Sequence, residues 1–350
     1  SYHLAARILT HQFVALVGKS APASLRRLAT RMDEVGGWLI EPDGRRVLLG
    51  DSNLKVTPPD ILVRSKRDNG LLWLPKSGVS IIKRPAPDPS FLLFAATFHN
   101  GTHNQADALT FDLFANGERV TTDSGLYDKD ADPYQVFSRS SYSHSVMTID
   151  GKSFPLGAGQ RYGSGLRAVG QSHGWYALEG VNPLASLQGV THHRLLLYKP
   201  GYALEVVDFA QSKQRHTYSR YFQLGPKLHV TQHGGAVDMT GRKGFVARLT
   251  STGTAPAKLK LLKGQKHPLR GLIFPSYRDA VPRTTAEFTS RGANVDQVAT
   301  FALDRSAAVR GTLAAGSTPD DATVKLKAPG GAATTLHVTR SGGKLSISGG

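Results

Sequence analysis

The chain has 350 residues and no cysteine, so it can bury a large core but has no disulfides, thiolate nucleophiles or cysteine metal sites. Its formal net charge of +17 predicts attraction to polyanions, whether nucleic acid, an anionic membrane or an acidic polysaccharide. No apolar run reaches the length of about 18 residues that a membrane-spanning helix needs, so no membrane span is predicted.

The N-terminal segment, up to about residue 36, is predicted to be helical. Leu4 and Ile8 begin an apolar pattern at roughly helical spacing. Gly18 should end this first helix, and Pro22 fits the first turn of a second one. The second helix should stop at Gly36-Gly37. The sequence therefore predicts two helices before any sheet begins.

The rest of the chain is typical of β-structure. Candidate strands follow one another from residue 47 to residue 348, and most connections between them are short. Strands do not alternate with helices, which argues against a parallel α/β fold. The fold class predicted is mainly β, with one large antiparallel β-sandwich after the helical fragment. The clearest turn signals are Asp43-Gly44, Asn69-Gly70, Asn116-Gly117 and Asp150-Gly151.

Polar side chains are concentrated around one predicted hairpin, between residues 98 and 150. Asn116-Gly117 fits a two-residue type I′ turn, and that register pairs Leu113 with Val120. The hairpin alone does not bring the residues before Ala108 close to its other end. They approach it only if the chain bends upstream, which the nearby Asn100-Gly101 allows.

This segment offers two kinds of chemistry. His103, Gln105, Asp123 and His144 supply imidazole, amide and carboxylate groups, although glutamine is an uncommon zinc ligand. The alternative is a hydrogen-bonded polar cluster that ties the hairpin to the strand at 144–149. For acid–base chemistry, a histidine can act as base or neutralise charge.

A tyrosine can also exchange protons if a nearby cation lowers its pKa. Arg139 could supply that cation, or could bind a substrate carboxylate. Motifs for nucleotide binding, a serine nucleophile elbow, a zinc protease or a DNA-binding helix are all missing from the sequence.

The motifs of this segment closely resemble those of the heparinase II/III-like family of polysaccharide lyases. The resemblance implies the last helices of an α/α toroid at residues 1–40 and an antiparallel sandwich domain at 41–350. It also implies cleavage of a uronate-containing polysaccharide by β-elimination. The matching segments are HNQADALTFDLFANGERVTTDSGLY, SRSSYSHSVMTIDG, Ser1-Tyr2-His3, Leu49-Gly50-Asp51-Ser52 and RLLLYKPGYALEVVD.

The resemblance assigns roles to particular residues. Tyr2 matches the catalytic tyrosine, which acts as acid and base, and His103 matches the active-site histidine of the sandwich domain. By position, the residues expected to contact substrate are Arg139, Tyr127 and His99. The residues at the positions of a structural zinc are Gln105, Asp123 and His144, with Gln105 standing where the family usually has histidine.

The expected partner is an anionic polysaccharide, with no nucleic acid and no membrane span. The chain starts at the family's tyrosine without an initiating methionine or signal core, so we expect a fragment of a longer enzyme or a second chain that supplies the missing toroid. The resemblance implies a periplasmic or secreted bacterial protein. The alternative is a non-catalytic fragment that binds acidic glycans or acts as a scaffold.

Overall fold

Helices occupy the N-terminal part of the chain, as the sequence predicts. The computed structural model describes residues 2–54, 57–98, 103, 105–156, 163–305 and 308–350, with side chains described from residue 5 onward. None of the helices in these ranges is both long and apolar enough to cross a membrane. The helices are α1 (Tyr2–Val17), α2 (Ala23–Trp38), α3 (Pro59–Ser65) and α4 (Pro133–Ser138).

An arginine on α1 joins three of these helices. Arg7 Nε lies 2.5 Å from Asp33 Oδ1 of α2, and the guanidinium also pairs with Asp60 of α3. The two long helices therefore confirm the sequence pattern, although α2 does not stop at Gly36-Gly37 but continues through both glycines to Trp38. The short helices α3 and α4 were not indicated by the sequence. The division into domains at residue 40 stays a prediction, and α3 lies beyond that boundary.

The remainder of the described chain is built from strands, most of them paired with an antiparallel neighbour. Residues 47–49, predicted as a strand, form none. In chain order the strands are β1 (Gly70–Leu74), β2 (Val79–Arg84), β3 (Ser90–Ala95), β4 (Thr97–Phe98), β5 (Thr110–Ala115), β6 (Glu118–Thr121), β7 (Met147–Ile149), β8 (Gly163–Ser164), β9 (Leu166–Ser172), β10 (Trp175–Val181), β11 (Val190–Lys199), β12 (Ala203–Ser212), β13 (His216–Gln223), β14 (His229–His233), β15 (Ala236–Gly241), β16 (Gly244–Gly253), β17 (Lys258–Lys263), β18 (Gln265–Lys266), β19 (Leu269–Arg270), β20 (Leu272–Ile273), β21 (Val281–Pro282), β22 (Thr284–Gly292), β23 (Val295–Ala302), β24 (Arg310–Leu313), β25 (Asp321–Lys327), β26 (Ala333–Ser341) and β27 (Lys344–Gly349).

Three larger sheets among the described residues form the sandwich. The largest has twelve strands in the order β14-β15-β16-β23-β12-β11-β10-β9-β27-β26-β25-β24. A five-stranded sheet, β1-β2-β3-β5-β6, and a four-stranded sheet, β17-β22-β13-β7, lie opposite it. These two smaller sheets meet where Thr121 forms an isolated bridge with Leu224. The large antiparallel β-sandwich predicted from the sequence is therefore confirmed.

The main hydrophobic core lies between the large sheet and the two smaller ones. Phe111 of β5 packs against Phe222 of β13 and Phe301 of β23, with ring centroids 6.2 and 6.0 Å apart. A second core forms where β24–β27 fold back over the other face of the large sheet, around Trp175 and Leu336. Burial of these apolar side chains supplies the main drive for folding.

The central hairpin has the predicted turn but a different register. Asn116 and Gly117 have φ of 53° and 79°, as a type I′ turn requires. The pairing then shifts, so that Leu113 lies opposite Thr121 and not opposite Val120. The cause is a bulge in which Thr121 Oγ1 accepts the Leu113 amide at 3.0 Å. The predicted pairing of Leu113 with Val120 is therefore wrong.

A buried ion pair connects the large sheet to this hairpin. Arg194 of β11 lies directly across from Asp208 of β12 and binds both its carboxylate oxygens, at 2.8 and 3.0 Å. The same guanidinium donates to the carbonyls of Leu109 at 2.8 Å and Ser145 at 2.6 Å. Burial acts to raise the pKa of Asp208, but the positive charge of Arg194 and a hydrogen bond from His192 hold it below its usual range.

Replacement of Arg194 tests the importance of this pair. Arg194→Leu should lower the free energy of unfolding by about 3–5 kcal/mol, because the buried Asp208 carboxylate then keeps only His192 and the more distant Arg220, 3.7 Å away. Urea unfolding measures the loss.

The matched control is Arg248→Leu. Arg248 and Asp238 are also direct cross-strand neighbours with two contacts, at 2.6 and 2.7 Å, but their side chains are 41% and 21% exposed. This variant should lose no more than about 1 kcal/mol. Equal losses of unfolding free energy in the two variants would contradict the larger stabilising role given to the buried pair of Arg194 and Asp208.

Glu205 is a buried carboxyl group on β12. One of its oxygens accepts a hydrogen bond from Thr300 Oγ1 at 2.6 Å, and the other has no partner among the described residues. Burial raises the pKa of Glu205 to about 8, although the Thr300 hydrogen bond opposes this shift. The folded protein therefore holds this proton at pH values where the unfolded chain has lost it.

Glu205→Gln should make stability less dependent on pH. Protonated Glu205 favours the fold below the unfolded pKa of about 4.3, and this contribution is lost as pH rises through about 8. Relative to the parent, the variant should gain up to about 1.4 kcal/mol per pH unit within that window. Urea unfolding at pH 5 and pH 8 measures the gain. A gain of the same size in the exposed control Glu34→Gln would refute the explanation.

Candidate functional site

The polar cluster forms because the chain bends before β5. His103 and Leu109 both have left-handed backbone conformations, with φ of 69° and 72°. A turn follows in which the Thr110 amide donates to the Asp107 carbonyl at 2.9 Å. This is the upstream bend that the sequence allowed but did not indicate. It brings His103 and residues 105–107 towards the end of the hairpin.

One carboxylate holds two of the predicted site residues. Asp51 Oδ2 lies 2.7 Å from His103 Nδ1, and Asp51 Oδ1 accepts from Gln105 Nε2 at 2.9 Å. The His103 side chain is 38% exposed, so a ligand can reach it. A carboxylate on one ring nitrogen orients the imidazole for chemistry at the other. Asp51 belongs to the Gly-Asp-Ser segment noted in the sequence, but no role was assigned to it.

The second pair is fully buried. His144 Nδ1 contacts Asp123 Oδ1, which also accepts the Ser124 amide at 2.9 Å. Burial acts to lower the pKa of His144, but the negative charge and hydrogen bond of Asp123 outweigh it, and the pKa is raised. Burial also raises the pKa of nearby Asp107 to about 7, although the charge of His144 opposes that shift. The sequence pattern did not single out Asp107.

Three predicted zinc ligands each have one buried atom without a hydrogen-bond partner in the described structure. These atoms are Gln105 Oε1, Asp123 Oδ2 and His144 Nε2. An imidazole nitrogen and a carboxylate oxygen are usual zinc donors, and an amide oxygen is a rarer one. In the described ranges, no group of three or more His, Cys, Asp or Glu side chains could hold a metal ion. The residues therefore fit a metal only with Gln105 as the third ligand.

Two buried side chains fix the backbone around this cluster. Arg283 donates to the carbonyls of Thr122, Asp123 and Ser143, the last two at 3.1 and 2.7 Å. Gln223 donates to the carbonyl of His144 at 3.1 Å. Neither residue was singled out from the sequence, because both lie far along the chain, on or beside the strands of the four-stranded sheet. Together they join the end of the hairpin to the segment before β7.

Of the residues expected to contact substrate, the structure describes Arg139 and Tyr127, which lie in different surroundings. The carbonyl of Arg139, just after α4, accepts the Ala106 amide at 2.9 Å, so this residue adjoins the cluster. Tyr127 packs on Tyr134 and Phe274, with ring centroids 5.0 and 5.4 Å apart. His99 and the side chain of Tyr2 lie outside the described part of the chain; the backbone of Tyr2 begins α1. The roles of all these residues stay predictions.

A family model described as heparinase II/III-like, C-terminal, matches residues 66–312, which include the hairpin and most of the polar cluster. The chain belongs to the heparinase II/III-like family. The resemblance stated from the sequence motifs is therefore confirmed. The match begins after α1 and α2, and Asp51 also lies before it.

Solved structures share the fold at low sequence identity. A heparinase III described as the BT4657 gene product has a TM-score of 0.81 and 16% identity, covering 97% of this chain and 57% of its own. Heparan sulfate lyase HepC from Pedobacter heparinus has a TM-score of 0.76 and 16% identity, covering 100% and 57%. A further heparinase III has a TM-score of 0.78 and 14% identity, covering 97% and 59%.

The chain thus spans somewhat more than half the length of these structures, and at such identities the likeness shows the fold alone. Comparison with curated proteins gives no match.

Proposed function

We propose that this protein is a polysaccharide lyase that cleaves a uronate-containing acidic polysaccharide by β-elimination. The observation that carries the proposal is the half-exposed His103, held by Asp51 within a domain of the heparinase II/III-like family. The net charge of +17 supports an anionic substrate, because long-range attraction concentrates a polyanion at the surface.

The proposed reaction needs three actions on the sugar. The uronate carboxylate is neutralised, the proton on C5 is removed, and the bond from C4 to the glycosidic oxygen breaks as that oxygen takes a proton. The electron pair left at C5 forms a double bond to C4. His103 and Tyr2 are the proposed proton-transfer groups, and Arg139 is proposed to bind the carboxylate, since a guanidinium matches its two oxygens.

We also propose that further helices complete the site. Leu9, Phe13 and Leu16 on α1 are 66%, 53% and 84% exposed. Such an apolar surface is usually covered by protein. The rest of an α/α toroid, in the same longer chain or a second one, is the proposed cover. A polysaccharide substrate also supports a periplasmic or secreted location.

The assay for this function uses the full-length protein. Ultraviolet absorbance of unsaturated uronate ends should rise on heparan sulfate, hyaluronan, alginate or a bacterial exopolysaccharide. Tyr2→Phe and His103→Ala should each lower kcat/KM by at least about 100-fold, because each removes a proton-transfer group. The control His229→Ala, at an exposed position on β14, should keep full activity. A folded protein that binds these polymers without producing new absorbance would refute the lyase in favour of a glycan-binding role.

A structural zinc is the second part of the proposal. Gln105, Asp123 and His144 would hold it, and the ion would cross-link the end of the hairpin to the segment before β7. The three unpartnered buried atoms support this ligand set.

Added Zn²⁺ should raise the thermal unfolding midpoint, by the equivalent of about 2.7 kcal/mol when its concentration is 100 times Kd. Asp123→Asn and His144→Ala should abolish the rise, and Gln105→His should bring it about at lower zinc concentration. Isothermal titration with Zn²⁺ gives the stoichiometry. The same rise in all variants would show binding elsewhere on the surface.

A further inference from the structure

A basic cleft lies at the turn of the central hairpin, at the opposite end from the polar cluster. Its volume is about 270 Å³, and it is bordered by the turn that joins β5 to β6. Four basic side chains and two acidic ones line it. The basic residues are Arg45, Arg119, Lys227 and Arg242, and the acidic ones are Asp43 and Glu118.

Two glycines, Gly225 and Gly241, allow the segments that form the cleft to pack closely against β6. A Cβ atom at Gly225 would overlap the carbonyl oxygen of Arg119, and one at Gly241 would lie 2.6 Å from Glu118 Cγ. At Gly225, where the contact is with backbone, such close approach is possible only without a side chain. Arg242 directly follows Gly241, and Lys227 lies two residues after Gly225. Their positions are therefore set by the backbone packing of both turns.

The third wall is an equally tight turn. The Glu41 amide donates to the Arg45 carbonyl at 2.9 Å, and Asp43 Oδ1 accepts the Arg45 amide at 3.0 Å. At the base of the cleft, Arg119 pairs with Glu41 and Asp43, while its buried Nε has no hydrogen-bond partner among the described residues. The cleft is thus preorganised and keeps an unused donor at its base.

The outer cations of the cleft are open to solvent. Arg45, Lys227 and Arg242 are exposed, and within the described ranges none of them forms an ion pair. An adjoining cleft shares Gly117 and adds the exposed Arg84 and Lys243. Guanidinium and ammonium groups left unpaired in a concave surface favour an anionic ligand.

One short segment connects the cleft to the candidate active site. Leu54 lines the cleft, and Asp51, three residues earlier, contacts His103 and Gln105. Three residues span at most about 11 Å. Asp51, the partner of His103, and Leu54 of the cleft are therefore close enough for one polymer chain to reach both regions.

We propose that this cleft binds a sulfate or carboxylate group of an anionic polysaccharide that extends beyond the candidate active site. The substrate class rests on the proposed function. Among the lining residues the one aromatic side chain is Phe114, which is buried, so the cleft offers no exposed ring for stacking nucleic acid bases. Its charged rim suits the acidic groups of a saccharide chain.

The test compares two triple variants of the full-length protein, both in a His103→Ala background that limits cleavage. The cleft variant is Arg45→Ala/Lys227→Ala/Arg242→Ala. The control, Arg291→Ala/Arg310→Ala/Lys325→Ala, removes the same number of exposed arginines and lysines from strands that do not line the cleft. Both sets lie at exposed positions, so both proteins should fold, and circular dichroism checks this.

The probe is long-chain heparan sulfate at 0.15 M salt, with Kd measured by calorimetry. The cleft variant should bind about tenfold more weakly than its parent, since three modest ion pairs are lost, and the control should bind within about twofold of it. Equal affinity of the two triple variants, or no binding by the parent, would overturn the proposal.

Double-stranded DNA of matched charge serves as the second probe. If DNA binds the parent as tightly as heparan sulfate does and loses affinity equally in the cleft variant, the assignment to a saccharide is overturned. Weaker DNA binding supports it. Because affinity is measured without turnover, the two proposals can fail separately: a protein with His103 intact that never cleaves would refute the lyase, and weaker binding by the cleft variant would still support the cleft.

Discussion

The geometry of the candidate site depends on one buried guanidinium. Arg194 neutralises Asp208 inside the large sheet and uses its remaining donors on the carbonyls of Leu109 and Ser145. Leu109 stands at the bend before the hairpin, and Ser145 follows directly after His144. A single side chain of the sheet thus sets the spacing of both chain segments that carry the polar cluster. The ionic pair also lies in the centre of the sandwich, where leaving either partner alone is costly.

Residues on or beside the four-stranded sheet also stabilise the backbone of the candidate site. Arg283 and Gln223 satisfy carbonyls on either side of the buried pair formed by His144 and Asp123. The site is therefore built mainly from irregular segments whose backbone polar groups are paired with buried side chains, as buried backbone generally must be. The exposed side chain of His103 therefore lies beside backbone segments that buried hydrogen bonds hold in place.

The sequence predicted the architecture better than it predicted the site. Local patterns decide where helices end and hairpins turn, so the two long helices and the Asn116-Gly117 turn could be found without a structure. The bulge at Thr121 could not, because it depends on a side chain replacing a backbone acceptor. The roles of Asp51 and Arg283 also depend on contacts between distant parts of the chain, which periodicity does not report. Sequence motifs located the polar cluster, whereas the contacts of Asp51 and Arg283 with it became visible only in the folded structure.

The sharing of Asp51 between His103 and Gln105 has a consequence for how the site can vary. Each oxygen of this carboxylate serves a different neighbour. A residue at position 105 that could not donate a hydrogen bond would remove the one that Asp51 Oδ1 accepts from Gln105, and so change the carboxylate that contacts His103. Substitutions at the two positions should therefore combine non-additively. In this chain a change at Gln105 is therefore also a change in the environment of His103.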